Sequence, residues 1–149
     1  MGQRVGNLLG WGYEGATPED LVAFAERNGA TVVVDVRLNA ISRKPGFSKR
    51  KLADRLSASG IAYLHLPALG NPRDNRPGFW SPGTDEARAA HRAFRERVLE
   101  SDGGRDALDQ LLAVAQEATV VVLCFEDDPA RCHRTLVLES ARAREAVAA

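Results

Sequence analysis

Seven consecutive residues, Thr31-Val-Val-Val-Asp-Val-Arg37, constrain this chain more than any other stretch. Four of the seven are valine, and polar and apolar positions do not alternate. A strand with one wet face would alternate, so this one is expected to be covered on both. Covering both faces takes helices on each side, the arrangement of parallel α/β sheets. Thr119 to Phe125, with Val-Val-Val-Leu leading into Cys124, reads as another strand.

The rest of the chain alternates in the same sense. Val5 to Trp11 reads as the first strand and Ile61 to Leu66 as the third. Thr17-Pro18-Glu19-Asp20 opens a helix, with Thr as the cap, Pro in the first turn and acids at the positive end. Gly29 closes that helix. Ser48 is expected to cap a second helix with Leu52 and Leu56 inward and Gly60 at its end. Thr84 to Glu100 reads as a helix, Asp102-Gly103-Gly104 as a break, and Asp106 to Glu117 as the next helix. A last helix is expected to begin around Arg131 to His133. Pro67 to Gly83 reads as a long loop, and loops of that length often serve as lids. The chain has 149 residues and no repeat or linker. The expectation is one α/β domain over 1–149, with a mostly parallel sheet of about four or more strands and helices on both faces.

Twenty basic and twenty acidic residues cancel, so no overall field draws the chain to nucleic acid or to an anionic membrane. No apolar run is long enough to cross a bilayer, and MGQRVGNLLG lacks the apolar stretch of a secretory signal. The expected compartment is the cytoplasm, where Cys124 and Cys132 would stay reduced and form no disulfide framework. The sequence does not reveal an oligomeric state.

Ligands of open parallel sheets bind outside the carboxyl ends of the strands. Those ends carry Tyr13 and Glu14, then Arg37, then His65, then Cys124 and Glu126. A carboxylate just past a buried strand can act as a general base, as a nucleophile on a sugar carbon, or as a ligand for hydroxyls. Glu126 is therefore a catalytic candidate, against the plainer reading of a solvated loop acid. Cys132, near Arg131 and Arg134 at a helix start, is a candidate nucleophile or a packed small residue. His65 is the third catalytic candidate. Tyr13, Glu14, Arg37, Arg43, His133 and Arg134 are candidates for holding an anion or lining its cleft.

Cys124, Cys132, His133 and His65 offer the ligand types zinc uses. The spacing C-x7-C-H matches no usual knuckle, and adjacent Cys and His rarely converge on one ion. No metal and no cofactor is assigned on that ground. The basic run from Arg43 to Arg55 can hold a phosphate or a nucleic-acid backbone, with Phe47 stacking on a base. A solvated helix face is the plainer account of it.

Five stretches together resemble the bacterial and archaeal family called domain of unknown function 488. They are GYEG at Gly12 to Gly15, VDVR at Val34 to Arg37, SRKPGFSKRKL at Ser42 to Leu52, GIAYLHLPALG at Gly60 to Gly70, and LCFEDDPARCHR at Leu123 to Arg134. The resemblance runs in order through nearly the whole chain and implies a single α/β domain without an established activity. One departure is Leu38-Asn39-Ala40-Ile41, where family members often carry a serine-proline-like step. The strand leading into Asp-Val-Arg is also similar to rhodanese domains, which would make this a cysteine-dependent enzyme. Phe125-Glu126-Asp127-Asp128 after the thiol would repel the anion such a loop must cradle. A fold similar to nucleoside deoxyribosyltransferases, with Glu126 as the carboxylate that attacks the anomeric carbon, accommodates the acids and the basic edge together. The expectation is an enzyme acting on a phosphate-bearing small molecule or nucleic acid. Its rivals are a non-catalytic nucleic-acid-binding module on the Arg43–Arg55 face and a protein-interaction domain.

Overall fold

The computed structural model describes residues 7–148, so Val5 and Gly6 of the expected first strand lie outside the described residues. The strands are β1 (Leu8–Gly12), β2 (Ala30–Asp35), β3 (Ala62–His65) and β4 (Thr119–Cys124). The helices are α1 (Pro18–Arg27), α2 (Lys49–Ser57), α3 (Asp85–Phe94), α4 (Asp102–Glu117) and α5 (Arg134–Ala148). The sheet runs β1-β4-β2-β3, and every neighbouring pair is parallel. The α/β expectation, with helices on both faces, is what forms.

The valine runs occupy the two central strands and feed two cores. Val121 and Leu123 of β4 and Val33 of β2 pack with Leu21, Leu52 and Leu56 of α1 and α2. Val120 and Val122 pack on the other face with Phe94, Leu108, Leu111 and Val137. Successive β4 side chains thus alternate between two cores, as the period of a strand requires. Each of these fully buried side chains contributes about 1.5–3 kcal/mol of transfer free energy.

Helix starts follow local chemistry, with two exceptions. Thr17 and Asp20 form a reciprocal cap: the Thr17 hydroxyl accepts from the Asp20 N–H at 3.1 Å, and the Asp20 carboxylate accepts from the Thr17 N–H at 2.9 Å. Ser48 stands at the start of α2 but makes no side-chain cap. Its hydroxyl donates to the Ser42 carbonyl at 3.2 Å and accepts from the Ser42 N–H at 3.1 Å, closing the loop behind it. Gly103-Gly104 does not break a helix. The helix from Asp85 passes through a wide π-turn at Arg95–Leu99, and Ser101 then caps α4 by accepting from the Gly104 N–H at 3.0 Å. A Cβ on Gly104 would stand 1.8 Å from the Val98 carbonyl oxygen, so the glycine is a packing requirement of that corner.

The stretch from Pro67 to Gly83 differs from an open lid. It winds through three short 3-10 turns, Pro67–Leu69, Arg73–Asn75 and Pro77–Trp80, and buries Leu69, Asn71, Asn75 and Phe79. The Asn75 amide donates to the Ala90 carbonyl at 2.9 Å and to Asn71 Oδ1 at 3.1 Å, which pins the loop to α3. Among the described residues, no helix is long and apolar enough to cross a membrane.

The order of strands places one crevice. The chain leaves β2 through α2 toward β3, and leaves β4 toward α5, which packs on the opposite side near β1. β2 and β4 are neighbours, so the loops following them diverge, and a hollow opens between them at the carboxyl edge.

Candidate functional site

The floor of the hollow begins with a buried charge pair. Asp35 ends β2 fully buried, and Arg37 two residues on is nearly so. Arg37 Nε donates to Asp35 Oδ1 at 2.9 Å and Nη2 to Oδ2 at 2.7 Å, a two-pronged ion pair. The Arg37 backbone N–H also donates to Asp35 Oδ1, at 3.1 Å. The Tyr63 hydroxyl donates to Asp35 Oδ2 at 2.5 Å, and burial together with that bond holds its pKa well above the ordinary phenol range. Burial alone would lower the Arg37 pKa, but the bond and charge of Asp35 outweigh it, and the guanidinium is held charged. Arg37 Nη1 donates to the Tyr13 hydroxyl at 3.2 Å, and its guanidinium carbon lies 5.2 Å from the Tyr13 ring centroid.

Two histidines hold the backbone beside this pair. His65 Nε2–H donates to the Arg37 carbonyl at 2.7 Å, and His133 Nε2–H donates to the Val36 carbonyl at 2.8 Å. Each carbonyl can only accept, so each ring carries a proton on Nε2. Burial pushes the His133 imidazole down to about 4, against the opposing pull of the Val36 carbonyl. His133 is therefore neutral near pH 7, with its Nδ1 lone pair turned toward Cys132 Sγ, 3.9 Å away.

The hollow itself has a volume of roughly 230 Å³. Tyr13, Arg37, Glu126 and His133, four of the nine residues expected at a site, line it, and Arg76 and Arg131 add two more guanidinium groups. Glu126 is half-buried there. Burial raises its carboxyl pKa; a backbone hydrogen bond lowers it, Glu14 raises it, and Arg134 and Arg76 draw it back, with a net upward shift.

The other five expected residues stand elsewhere. Arg134 is buried beneath the loop, donating to the Glu126 carbonyl and, at 3.0 Å, to the Asp127 carbonyl. It braces the segment that carries Glu126 and does not line the hollow. Arg43 is exposed and also outside the lining. Glu14 is exposed at the rim, accepting from the Asp127 N–H at 3.4 Å. His65 is spent on the Arg37 carbonyl and takes no part in the lining. Cys132 is buried in extended backbone ahead of α5, not in its first turn, and its amide goes to the Pro129 carbonyl at 3.4 Å.

Three further expectations need correction. Phe47 is fully buried and stacks on Tyr13 with centroids 4.4 Å apart, so its ring is closed to a base. The cysteines are not separate thiols: Cys124 and Cys132 are joined as a disulfide, with Cα atoms 7.4 Å apart. Adjacent Cys132 and His133 do converge. Ligand atoms of Cys124, Cys132 and His133 all lie within 4.8 Å of one another, and all three residues are buried. The turn from the short Pro129–Arg131 helix into α5 brings them together, a bend that residue spacing does not disclose.

Gly12 lets the loop close over the site. Tyr13 N–H donates to the Cys124 carbonyl at 3.1 Å and Glu14 N–H to the Phe125 carbonyl at 2.8 Å, so the chain after β4 lies against the end of β1. A Cβ on Gly12 would stand 1.8 Å from the Glu126 carbonyl oxygen and 2.8 Å from Asp127 Cα, and backbone cannot rotate aside. Gly12→Ala is expected to destabilise the fold by about 1–3 kcal/mol and to displace Glu126. Urea denaturation checks the first effect; an unchanged midpoint would refute it.

Asn71, Arg76 and Phe79 also face the hollow. The sequence marks them only by their place in the long proline-rich loop. A family model described as domain of unknown function DUF488 matches residues 17–141. Comparison with curated proteins and with solved structures finds no match to the chain.

Proposed function

We propose that this chain, which belongs to the DUF488 family, is an enzyme acting on a phosphate-bearing, nucleotide-like ligand with Glu126 as its reacting carboxyl. The observation that carries this is the company Glu126 keeps: a half-buried carboxyl shares one hollow with three guanidinium groups, Arg37, Arg76 and Arg131. Arginine forks match phosphate oxygens in shape and charge. Asp35 already balances the charge of Arg37, so the grip on an anion falls chiefly to Arg76 and Arg131. Phe79 and Phe125 give the hollow apolar wall for a base or a sugar.

In the proposed reaction Glu126 attacks the anomeric carbon of the bound nucleotide. The bond from that carbon to the base nitrogen breaks, and the electron pair leaves with the base, which takes a proton. Water then hydrolyses the glycosyl ester, releasing the sugar phosphate and restoring the carboxylate. The proposed setting is the cytoplasm, where nucleotides and thiol reductants are both present.

The nucleic-acid module fares less well. Its stacking ring is buried, and Arg55 is engaged by Glu19 at 2.9 Å. The test is thermal unfolding with inorganic phosphate and with each nucleoside 5′-monophosphate. A ligand at a hundred times its dissociation constant stabilises by about 2.7 kcal/mol. We expect such a shift with at least one nucleotide, and its loss in Arg76→Ala/Arg131→Ala. No shift with any of them would overturn the reading.

A further inference from the structure

The buried sulfur pair and His133 are not used by that chemistry. We propose that in its reduced form the chain binds one zinc-class divalent ion through Cys124 Sγ, Cys132 Sγ and His133 Nδ1, with a fourth position open to the hollow. The proposal stands apart from the glycosidic reading.

Four observations carry it. First, the ligand atoms lie within 4.8 Å of one another, and once the bond between the sulfurs is reduced the two can part and sit with Nδ1 around one ion. Second, the ring is already oriented: His133 Nε2–H is bound to the Val36 carbonyl at 2.8 Å, and Nδ1 faces Cys132 Sγ at 3.9 Å. A ligating imidazole characteristically donates its other N–H to such a carbonyl. Third, Arg134 Nη1 donates to Cys124 Sγ at 3.5 Å, an N–H that favours the thiolate. Fourth, the Cα atoms of the two cysteines are 7.4 Å apart. Disulfides ordinarily span about 4.4–6.8 Å between Cα atoms, whereas two thiolates on a tetrahedral ion stand about 3.8 Å apart at their sulfurs and reach across a wider gap.

The choice of metal follows from the donors. Two thiolates and an imidazole suit zinc among the divalent ions, and three protein ligands leave a fourth place for water or a ligand. Cys124 and His133 both reach the wall of the hollow, so that place opens there and not into the core. The balance is simple. Two thiol reductant molecules convert the disulfide to two Cys–SH groups and are themselves joined as a disulfide. The ion then displaces both thiol protons.

Cobalt tests this, because its colour reports its ligands. The full chain is reduced, freed of reductant without air and titrated with Co²⁺. The expected result is one equivalent bound, with a near-ultraviolet thiolate-to-cobalt band and the visible bands of four-coordination, both erased by zinc. The same chain left oxidised gives neither, a control that needs no variant. Cys124→Ser and Cys132→Ser each weaken binding by more than about 100-fold, beyond what loss of an outer partner costs. A reduced chain without the thiolate band, or a band that survives in both serine variants, overturns the proposal.

Discussion

Asp35→Ala will destabilise the fold by about 3–5 kcal/mol, the penalty for leaving one member of a buried ion pair without the other. Asp35 is fully buried and takes two prongs from Arg37, the Arg37 backbone N–H and the Tyr63 hydroxyl. Alanine leaves the nearly buried Arg37 guanidinium charged, with the Tyr13 hydroxyl and ring as its remaining partners among the described residues. It also strands the Tyr63 O–H. The double replacement Asp35→Leu/Arg37→Met should recover much of the loss, since swapping a whole buried pair for apolar side chains is far cheaper than splitting it. Urea denaturation decides, read as the midpoint at constant slope. A single variant within about 1 kcal/mol of the parent would mean that water reaches the pair, and that the floor of the hollow is softer than its geometry implies.

The same pair marks where sequence reasoning stops. Asp35 breaks a valine run, and period and composition identified its strand. Period two sets Asp35 and Arg37 toward one face, but nothing in a linear reading says that the two close into a buried, two-pronged ion pair. Arg37 lies beyond the last residue of β2, where the backbone turns and folds the guanidinium back onto Asp35. Local chemistry foretold the Thr17 cap for a simple reason: its partners are three residues apart. It failed for Ser48, whose hydroxyl found a loop carbonyl instead. The site divides in the same way. Tyr13, Arg37 and Glu126 were legible because a parallel sheet delivers strand ends to one edge. Arg76 was not, because its place depends on how a proline-rich loop packs against α3. Arg134, expected to hold an anion, stands outside the lining and donates to the carbonyls of the Glu126 loop, a placement that depends on how that loop folds over α5.

Glu126→Gln will lower turnover by about 10²–10⁴-fold while leaving ligand affinity nearly unchanged. Glutamine keeps the size of the side chain and one carbonyl oxygen, so the hollow retains its shape. It cannot supply the electron pair that forms the glycosyl ester, so the bond to the base is not displaced. Affinity should persist because, in the proposed reading, Arg76 and Arg131 grip the anion and Glu126 supplies the reacting carboxyl. The measurement is release of free base from whichever nucleoside monophosphate stabilises the parent chain most, alongside that nucleotide's effect on the variant's melting point. Arg76→Ala should show the reverse pattern, with weaker binding and a smaller change in the rate at saturation. Turnover that survives in Glu126→Gln would remove the carboxyl from the reaction, and binding that vanishes with it would make Glu126 a ligand contact only. The cobalt spectrum of Glu126→Gln separates the two proposals, because the carboxyl belongs to neither the thiolates nor the imidazole. A variant without turnover that keeps the full thiolate band places the chemistry at the carboxyl and the ion at the sulfurs. A Cys124→Ser chain that loses the band and keeps turnover would make the metal structural.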